Sequence, residues 1–461
     1  MASPPPFAVS STRSLPRAWF AGSGNVSYPI ASQPTGAHFT FARGLPDTTG
    51  PTLGFRSAAT VTSDLAGPRV PASQQFSFYH DGAAIELHFQ NNSKGVLVKI
   101  DGQYLSLDPI TTDGEQYIRI DFASRDVRRI DLVSYKSAFA GVWTGTGDGI
   151  WAAPARGPRA ICMGDSFTTA APTGWTNWFA DAMGWDDVWT SGIGGTGYVA
   201  NASGLSPNWN ERLEADVIAY RPEVVFLFGS VNDMSYGPQA VGAGVRSLVS
   251  RLRKALPDCV VAGGMNTAFG VEAWPSESWD VLDAAKAAFT EAGGAWMSLL
   301  EMPMEFSGPA VGNAGMLMDN LAAGRAGNTG TPTAVDASAG FRVNTSSSTP
   351  DTNLRIGATV EIGSGATRER VVVTAVGLSG GKQIYGFDGA LRYAHAAGEP
   401  VREVGPAYIT GRGTSVAPSG WGTGDIYVGD DGYHPNDHGH RMIGMLNASM
   451  LKRHLRSTGR A

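Results

Sequence analysis

The sequence predicts an α/β fold: a parallel sheet in the second half of the chain, preceded by an all-β region and carrying a β-rich insertion. Three observations support this prediction. After residue 159, short apolar runs alternate with segments of helical length, which is typical of parallel sheets with right-handed crossovers. Before it, short alternating runs end in turn residues. Glycine makes up 60 of the 461 residues, which favours turns and short strands over a helical bundle.

A chain of this length is expected to fold as two or three domains. Residues 21–150 predict an all-β sandwich or jelly roll, preceded by an extended, Pro- and Ser-rich arm over residues 1–20. Within this region the Asp101-Gly102 pair lies between two apolar runs and is a strong hairpin signal. The Gly- and Ala-rich stretch 144–158 is interpreted as a linker.

The α/β domain is predicted over residues 159–304 together with 421–461. Residues 305–420 are predicted to be an insertion, in which 354–402 form a small β module and the Gly-rich run 306–350 is its tether. The predicted elements of the α/β domain are a strand at 159–164, a helix at 175–183, strands at 186–192 and 222–228, a helix at 238–256, a strand at 259–264, a helix at 276–292, a strand at 295–300 and a final helix after residue 435.

Composition and patterning exclude several classes of protein. The net charge of −6 argues against a nucleic-acid binder, which needs a basic surface. No apolar run reaches 18 residues, so no transmembrane helix and no membrane insertion are expected. The N-terminus does not resemble a secretory signal, and the predicted location is synthesis in the cytoplasm with an extracellular or virion-associated site of action left open. Cys162 and Cys259 lie in apolar runs and are interpreted as small buried hydrophobes.

Polar turns follow several predicted strands at the sheet edge where open α/β folds place their sites. Residues 164–166 read Gly-Asp-Ser, a glycine run spans 192–197, and residues 229–233 read Gly-Ser-Val-Asn-Asp. A fourth turn, 431–435, reads Asp-Gly-Tyr-His-Pro. Together they offer a serine nucleophile, backbone N–H groups without side chains in the way, an Asn amide donor and an Asp–His pair.

The four turns resemble the sequence blocks of the SGNH, or GDSL-type, hydrolase family, over residues 159–304 and 421–456. The resemblance implies a flavodoxin-like three-layer fold. It implies that Ser166 is the nucleophile, that His434 is the general base and that Asp431 orients His434. The implied oxyanion hole consists of the Ser166 N–H, Gly195 and Asn232.

The glycine turn is the softest match, because Thr190-Ser191 stand where an Asn often precedes the glycines, so Gly194 remains an alternative to Gly195. A β-sandwich ahead of the catalytic domain resembles the layout of two-domain carbohydrate esterases. This implies removal of a short acyl group, acetyl first, from an O-acylated and polymeric saccharide. Further substrate contacts are expected from residues close to the motifs, namely Asp165, Gly194, Tyr433 and Trp175. No cofactor is expected, and the oligomeric state is left open.

Alternative functions are weighed on the same residues. His434, His438 and His440 lie close together, but without an H-E-x-x-H pattern, so a zinc site is disfavoured. The nucleophile elbow of α/β-hydrolases needs a second glycine where Thr168 stands. The glycine run lacks the spacing of a dinucleotide fingerprint. A virion or cell-surface protein that binds saccharides without catalysis, and a lipid or aryl esterase, remain the competing hypotheses.

Overall fold

The structure is a computed structural model of the 461-residue chain. It describes residues 8–12, 26–29, 38–47, 54–56, 73–112, 116–135, 137–168, 171–202, 207–265, 276–299, 314–325, 340–344, 359–363, 367–379, 382–387, 389–403, 427–431 and 434–460. Within these residues, none of the helices combines the length and the apolar character needed to cross a bilayer.

The N-terminal region is an antiparallel β structure. Its strands are β1 (Ala8–Thr12), β2 (Val26–Pro29), β3 (Thr40–Ala42), β4 (Leu45–Asp47), β5 (Gly54–Arg56), β6 (Gln74–His80), β7 (Ala84–Ile100), β8 (Gln103–Tyr104), β9 (Ile110–Thr112), β10 (Gln116–Asp121), β11 (Arg128–Ser134), β12 (Ala138–Thr144) and β13 (Ile150–Ala152). The long strand β7 organises the region, because its first half pairs with β10 and β12 and its second half pairs with β11. Interlocking phenylalanines, among them Phe39, Phe76 and Phe139, fill the core.

The hairpin predicted at Asp101-Gly102 is confirmed. These two residues join β7 to β8 and have φ angles of 51° and 83°, so both adopt the left-handed conformation that a tight two-residue hairpin turn needs. Two other expectations differ from the structure. Residues 8–12 of the predicted arm form β1, which pairs with β10. Residues 150–152 of the predicted linker form β13, because Ile150 is buried and the free edge of β6 accepts its backbone hydrogen bonds.

The second half of the chain contains the predicted parallel sheet. Its strands are β14 (Ala160–Gly164), β15 (Val188–Gly192), β16 (Val224–Phe228), β17 (Val260–Gly263) and β18 (Ala295–Trp296), and its helices are α1 (Trp175–Met183), α2 (Trp209–Asp216), α3 (Pro238–Ala255), α4 (Ser276–Glu291) and α5 (Asp437–Ser457). The strand order is β15-β14-β16-β17-β18, and all neighbours are parallel. This is the flavodoxin-like order, with β14 at the point where the chain switches direction.

Helices cover both faces of this sheet. Alternate residues of β14 point to opposite sides, so Ile161 and Met163 pack with α3 and α4, whereas Cys162 packs with α1 and α5. Cys162 and Cys259 are both free and buried, as predicted. The sequence analysis missed α2, whose start is marked by a capping box between Asn208 and Glu211.

The inserted β structure is a six-stranded antiparallel sheet. Its strands are β19 (Ala314–Leu317), β20 (Val343–Asn344), β21 (Thr359–Ile362), β22 (Glu369–Ser379), β23 (Lys382–Phe387) and β24 (Pro400–Glu403). Its order is β20-β19-β24-β21-β22-β23, so the stretch expected to be only a tether supplies β19 and β20. Their apolar residues explain this difference, because Leu317, Phe341 and Val343 are buried in the core of this sheet. We call residues 314–403 the inserted β module.

A buried ionic contact joins the N-terminal β region to the parallel sheet. Asp186, between α1 and β15, accepts hydrogen bonds from Arg129, Arg156 and the side-chain amide of Gln75. Burial would raise the pKa of the Asp186 carboxyl, but the hydrogen bonds from Arg156, from Gln75 and the charge of Arg129 lower it to about 2. Arg43, also buried, donates to Asn177 of α1 at 2.7 Å.

Candidate active site

Ser166 lies immediately after the central strand β14. The chain turns there into a 3-10 helix, Ser166–Thr168, in which the N–H of Thr168 donates to the carbonyl of Asp165. Gly164 precedes this turn because a Cβ atom there would collide with Thr168 and with the carbonyl oxygen of Phe228. The helix predicted at 175–183 is α1, which begins at Trp175. The tight turn leaves Ser166 half-buried at the carboxyl edge of the sheet.

Asp431, His434 and Ser166 form a chain of contacts. Nε2 of His434 lies 2.9 Å from Oγ of Ser166, and Nδ1 of His434 lies 2.6 Å from Oδ2 of Asp431. The other carboxylate oxygen of Asp431 accepts the backbone N–H of His434 at 2.9 Å. The N–H of Gly429 donates to the carbonyl of His434 at 2.7 Å, which closes the turn before α5. The three side chains predicted to act together are thus in hydrogen-bond reach of one another.

This chain of contacts is open to solvent. The side chains of His434 and Asp431 are 42% and 52% exposed. On its inner side the ring of His434 meets the buried ring of Phe167, with centroids 5.3 Å apart. The imidazole thus packs against Phe167 on one side and is partly open to solvent elsewhere.

The structure separates the two candidate glycines. A Cβ atom on Gly194 would point at Cβ of Ser166, 3.6 Å away, whereas one on Gly195 would point at Cβ of Ala202 at 2.9 Å. Gly194 is also exposed. A Cβ on Gly194 would thus lie beside Ser166, whereas Gly195 has a φ angle of +73° and packs against Ala202.

Asn232 stands in the 3-10 helix Val231–Tyr236 that follows β16. Its amide nitrogen donates to the carbonyl of Thr196 at 3.0 Å, so it is held against the glycine loop. An amide nitrogen carries two hydrogens, and this contact uses one of them. The amide is half-buried.

Two buried carboxylates that the sequence analysis did not recognise as structural supports tie these loops together. Asp233 accepts the backbone N–H groups of Tyr198, Val199 and Ala200 at 2.6, 3.1 and 2.8 Å, and also the hydroxyl of Ser230. Burial raises the pKa of the Asp233 carboxyl, and these hydrogen bonds oppose the shift. The only sequence signal for this role is that Asp233 directly follows Asn232. The neighbouring residues do not indicate which backbone N–H groups Asp233 binds.

Asp165 makes the second connection. It accepts the N–H of Phe167 at 2.9 Å and the N–H of Ser230 at 2.7 Å, which links the Ser166 turn to the loop after β16. Burial raises the pKa of the Asp165 carboxyl to about 6, against the lowering effect of these two N–H groups. Gly229, with φ +123°, is required beside it, because a Cβ there would lie 2.6 Å from the carboxylate.

The residues expected to contact substrate lie in different environments. Asp165 and Trp175 are 0% and 1% exposed, so both are enclosed by the protein and the structure does not support a direct contact of either with substrate. Trp175 instead donates from its indole N–H to Thr168. Tyr433 lies outside the described residues.

A buried ion pair lies behind the turn. Arg212 of α2 donates to the carbonyl of Gly164 at 2.8 Å and to Ser191, and it pairs with Asp216 one helical turn later at 2.9 Å. A charge-assisted hydrogen bond onto the residue two before Ser166 holds the end of β14 in place. The Arg212–Asp216 pair was not predicted from the sequence, because the helix α2 that carries it was not predicted.

The histidines considered for a metal site do not gather around one. His434 contacts Asp431 and Ser166, and His438 is exposed on α5. Burial lowers the pKa of His440 to about 4, with the charge of His434 acting in the same direction. Across the part of the chain that the structure describes, no group of three or more His, Cys, Asp or Glu side chains is arranged to hold a metal ion.

The fold is a doubly wound α/β fold, and its site brings a serine, a histidine and an aspartate into contact at the carboxyl edge of the sheet. The sequence pattern of the GDSL-like lipase/acylhydrolase family matches residues 162–301. This part of the chain is a domain of that family, and the resemblance found in the sequence is confirmed. No curated protein matches the chain.

Solved structures that are similar to this chain include three proteins. A family two carbohydrate esterase from Cellvibrio japonicus is 14% identical, covers 60% of this chain and 89% of its own, and has a TM-score of 0.45. The salicylyl-acyltransferase SsfX3 from a tetracycline biosynthetic pathway is 14% identical, with 62% and 88% covered and a TM-score of 0.47. The acetyl xylan esterase Est2A from the rumen bacterium Butyrivibrio proteoclasticus is 11% identical, with 60% and 90% covered and a TM-score of 0.41.

Proposed function

We propose that the protein is a serine esterase that removes short acyl groups, acetyl first, from an O-acylated polysaccharide. The observation that carries the proposal is the contact chain from Asp431 through His434 to Ser166, with distances of 2.6 and 2.9 Å. A serine hydroxyl is a weak nucleophile unless a base takes its proton, and an imidazole held by a carboxylate is such a base.

The acylation step follows from these positions. Nε2 of His434 accepts the proton of Ser166 as Oγ attacks the ester carbonyl carbon, while Asp431 accepts the Nδ1–H and stabilises the imidazolium. The tetrahedral intermediate collapses when His434 returns the proton to the leaving sugar oxygen. This breaks the original ester bond and leaves the acyl group on Ser166. Water, activated by His434 in the same way, then releases the carboxylic acid and restores the serine.

The negative charge that develops on the carbonyl oxygen of the substrate needs hydrogen-bond donors to stabilise it. We assign them to the N–H of Ser166, the N–H of Gly194 and the amide of Asn232. Gly194 is preferred to Gly195, the residue first expected, because a Cβ built on Gly194 would lie 3.6 Å from Cβ of Ser166, which places the backbone of Gly194 next to the serine. The contact of Asn232 with Thr196 supports the assignment, because it fixes the amide next to the glycine loop before substrate binds.

Exposure of the site supports a short acyl group on a large carrier. His434 and Asp431 are about half exposed, which leaves room for a polymer. A long acyl chain would need an apolar cavity of several hundred Å³ beside the serine. A cavity of about 630 Å³ lies at the opposite, amino edge of the sheet, lined by Trp185, Val260 and Leu455.

Hydrolysis of p-nitrophenyl esters of increasing chain length tests this proposal. We expect acetate to be the best acyl group and the activity to fall steeply beyond about four carbons, with acetate released from acetylated polysaccharides. A preference for long chains would identify a lipid esterase instead. No hydrolysis of any ester by folded protein, together with retained polysaccharide binding, would identify the alternative of a saccharide-binding protein.

A further inference from the structure

The inserted β module contains a polar pocket that the proposed reaction does not use. The pocket has a volume of about 560 Å³ and lies between the start of β22 and the loop before β24. Arginine side chains dominate its rim, at Arg368, Arg370 and Arg392, and Tyr393 stands beside them with 38% of its surface exposed. The volume is in the range of sites for small molecules or single sugar units.

The charges of this pocket do not cancel. Three guanidinium groups face two carboxylates, Glu361 and Glu369. Oε2 of the buried Glu361 lies 3.4 Å from Nε of both Arg368 and Arg370. Arg392 brings a third positive charge to the same rim. The pocket thus has an excess of positive charge.

Glu369 lines the pocket, but both of its carboxylate oxygens are engaged by the protein itself. Its two oxygens accept the backbone N–H groups of Arg392 and Tyr393 at 2.8 and 3.0 Å and contact Nε2 of His395 at 2.9 Å. Burial alone would raise the pKa of this carboxyl, but the two N–H groups and His395 lower it below its usual value. Glu369 therefore stays ionised and anchors the loop that presents Arg392 and Tyr393.

The same loop is fixed from its other side. His395 is 2% exposed, and its second ring nitrogen lies 2.9 Å from Glu399. The backbone N–H and C=O of His395 are both hydrogen-bonded to the backbone of Leu321. A buried histidine that contacts a carboxylate through each ring nitrogen forms a fully satisfied polar network, and such networks make the surrounding segment rigid. A rim whose backbone is already ordered loses little conformational entropy when it binds a ligand.

The chemistry of this pocket selects its ligand. Guanidinium groups bind carboxylates through paired hydrogen bonds, and the face of a tyrosine ring packs against the C–H face of a sugar. The charged rim disfavours lipids and neutral apolar groups. We propose that the pocket binds a carboxylate-bearing sugar unit, so that the inserted β module holds an acidic polysaccharide. The proposal rests on the proposed function, since it names the class of polysaccharide that the Ser166 site would deacylate.

Binding measurements on the full-length Ser166→Ala protein test this proposal without turnover. The probes are oligogalacturonate, a neutral xylo-oligosaccharide of equal length, and inorganic phosphate, each titrated by calorimetry. We expect oligogalacturonate to bind, the neutral probe to bind at least about tenfold more weakly, and phosphate not to compete at equal concentration. In a Ser166→Ala background, Arg392→Gln is expected to raise the Kd for oligogalacturonate about ten- to hundredfold, the range for a lost charge-assisted hydrogen bond.

Arg453→Gln is the matched control, because Arg453 is an exposed arginine on α5 far from this pocket in the sequence. It is expected to leave the Kd unchanged. Equal binding of the neutral and acidic probes, equal competition by phosphate, or an unchanged Kd in folded Arg392→Gln would each overturn the proposal. In the wild-type background, Arg392→Gln is expected to keep full activity on p-nitrophenyl acetate. Failure of the wild-type protein to hydrolyse that ester would contradict the proposed function and leave the binding result standing by itself.

Discussion

The amide of Asn232 donates to the carbonyl of Thr196 at 3.0 Å and thereby joins the loops after β15 and β16. The next residue, Asp233, receives three backbone N–H groups from the same first loop. One short segment thus supplies the proposed oxyanion donor and also fixes the loop that carries the second donor. Preorganisation of this kind stabilises developing charge without a reorganisation cost during the reaction.

Ser166→Ala and His434→Ala are each expected to lower kcat by about 10⁴- to 10⁶-fold, because the serine, histidine and aspartate act as one unit and loss of the serine or the histidine disables it. Asp431→Asn is expected to cost less than His434→Ala, because Asp431 orients and stabilises but does not take the proton. Hydrolysis of p-nitrophenyl acetate measures all three. Ser250→Ala, at an exposed serine on α3, is the control. Near-normal activity in folded Ser166→Ala would reject the proposed nucleophile.

Asn232→Ala is expected to lower kcat by about 10²- to 10³-fold with little change in KM, as for a donor that acts in the transition state. Steady-state kinetics on the same ester give both constants. Because Asn232 also holds Thr196, circular dichroism and thermal unfolding must show that the variant stays folded. A change confined to KM would make Asn232 a ground-state binding residue.

The raised pKa of Asp165 predicts a specific pH dependence of stability. The folded-state pKa is about 6 against a usual 3.8, so the stabilisation that protonation of this group gives is complete below about pH 4 and is lost as the pH rises through 6. The unfolding free energy of the wild type, minus that of Asp165→Asn, should fall by about 3 kcal/mol across this window. Urea unfolding at several pH values measures it. Asp280→Asn, at an exposed aspartate of α4, is the control variant, and a flat difference for Asp165→Asn would contradict the buried ionisation.

Asp186→Asn is expected to lower the unfolding free energy at pH 7 by about 2–4 kcal/mol, because it removes one of the two carboxylates that pair with Arg129 and Arg156, the other being Asp131. The folded-state pKa of about 2 lies below the usual 3.8, so this stabilisation is present above pH 4 and is lost as the pH falls toward 2. The difference between variant and wild type should shrink over that range in urea unfolding. Asp258→Asn serves as the control, because Asp258 is exposed. Equal unfolding curves for Asp186→Asn and wild type at pH 7 would show that the contact is not stabilising.

Replacing residues 306–418 by a short linker is expected to keep hydrolysis of p-nitrophenyl acetate and to reduce acetate release from the polymer. The reason is that insertions at the carboxyl edge of such a sheet commonly set specificity. The ratio of polymer to small-ester activity is the measurement. An unchanged ratio in a folded protein would make the inserted β module a spacer or an oligomer contact.

Local patterns predicted much of this architecture. The apolar run of β16 and the amphipathic spacing of α3 are visible within a few residues, and they were located closely. Ser166 and the Asp431–His434 turn were found for the same reason, since each group is short and has a recognisable composition. The short strands β13, β19 and β20 were missed, because a two- to four-residue strand is defined by its partner and not by its own pattern.

The sequence by itself determined the alternation of strands and helices in the α/β domain, apart from α2, and it identified the polar turns that follow the strands. Only the tertiary structure decided that Gly194 lies beside Ser166, that Asp165 is a buried connector, and that Asp186 lies in an ionic contact with Arg129. The physical reason is range. Hydrophobic periodicity and turn preference act over neighbouring residues, whereas a buried carboxylate takes its donors from whichever backbone or side chain the fold brings next to it.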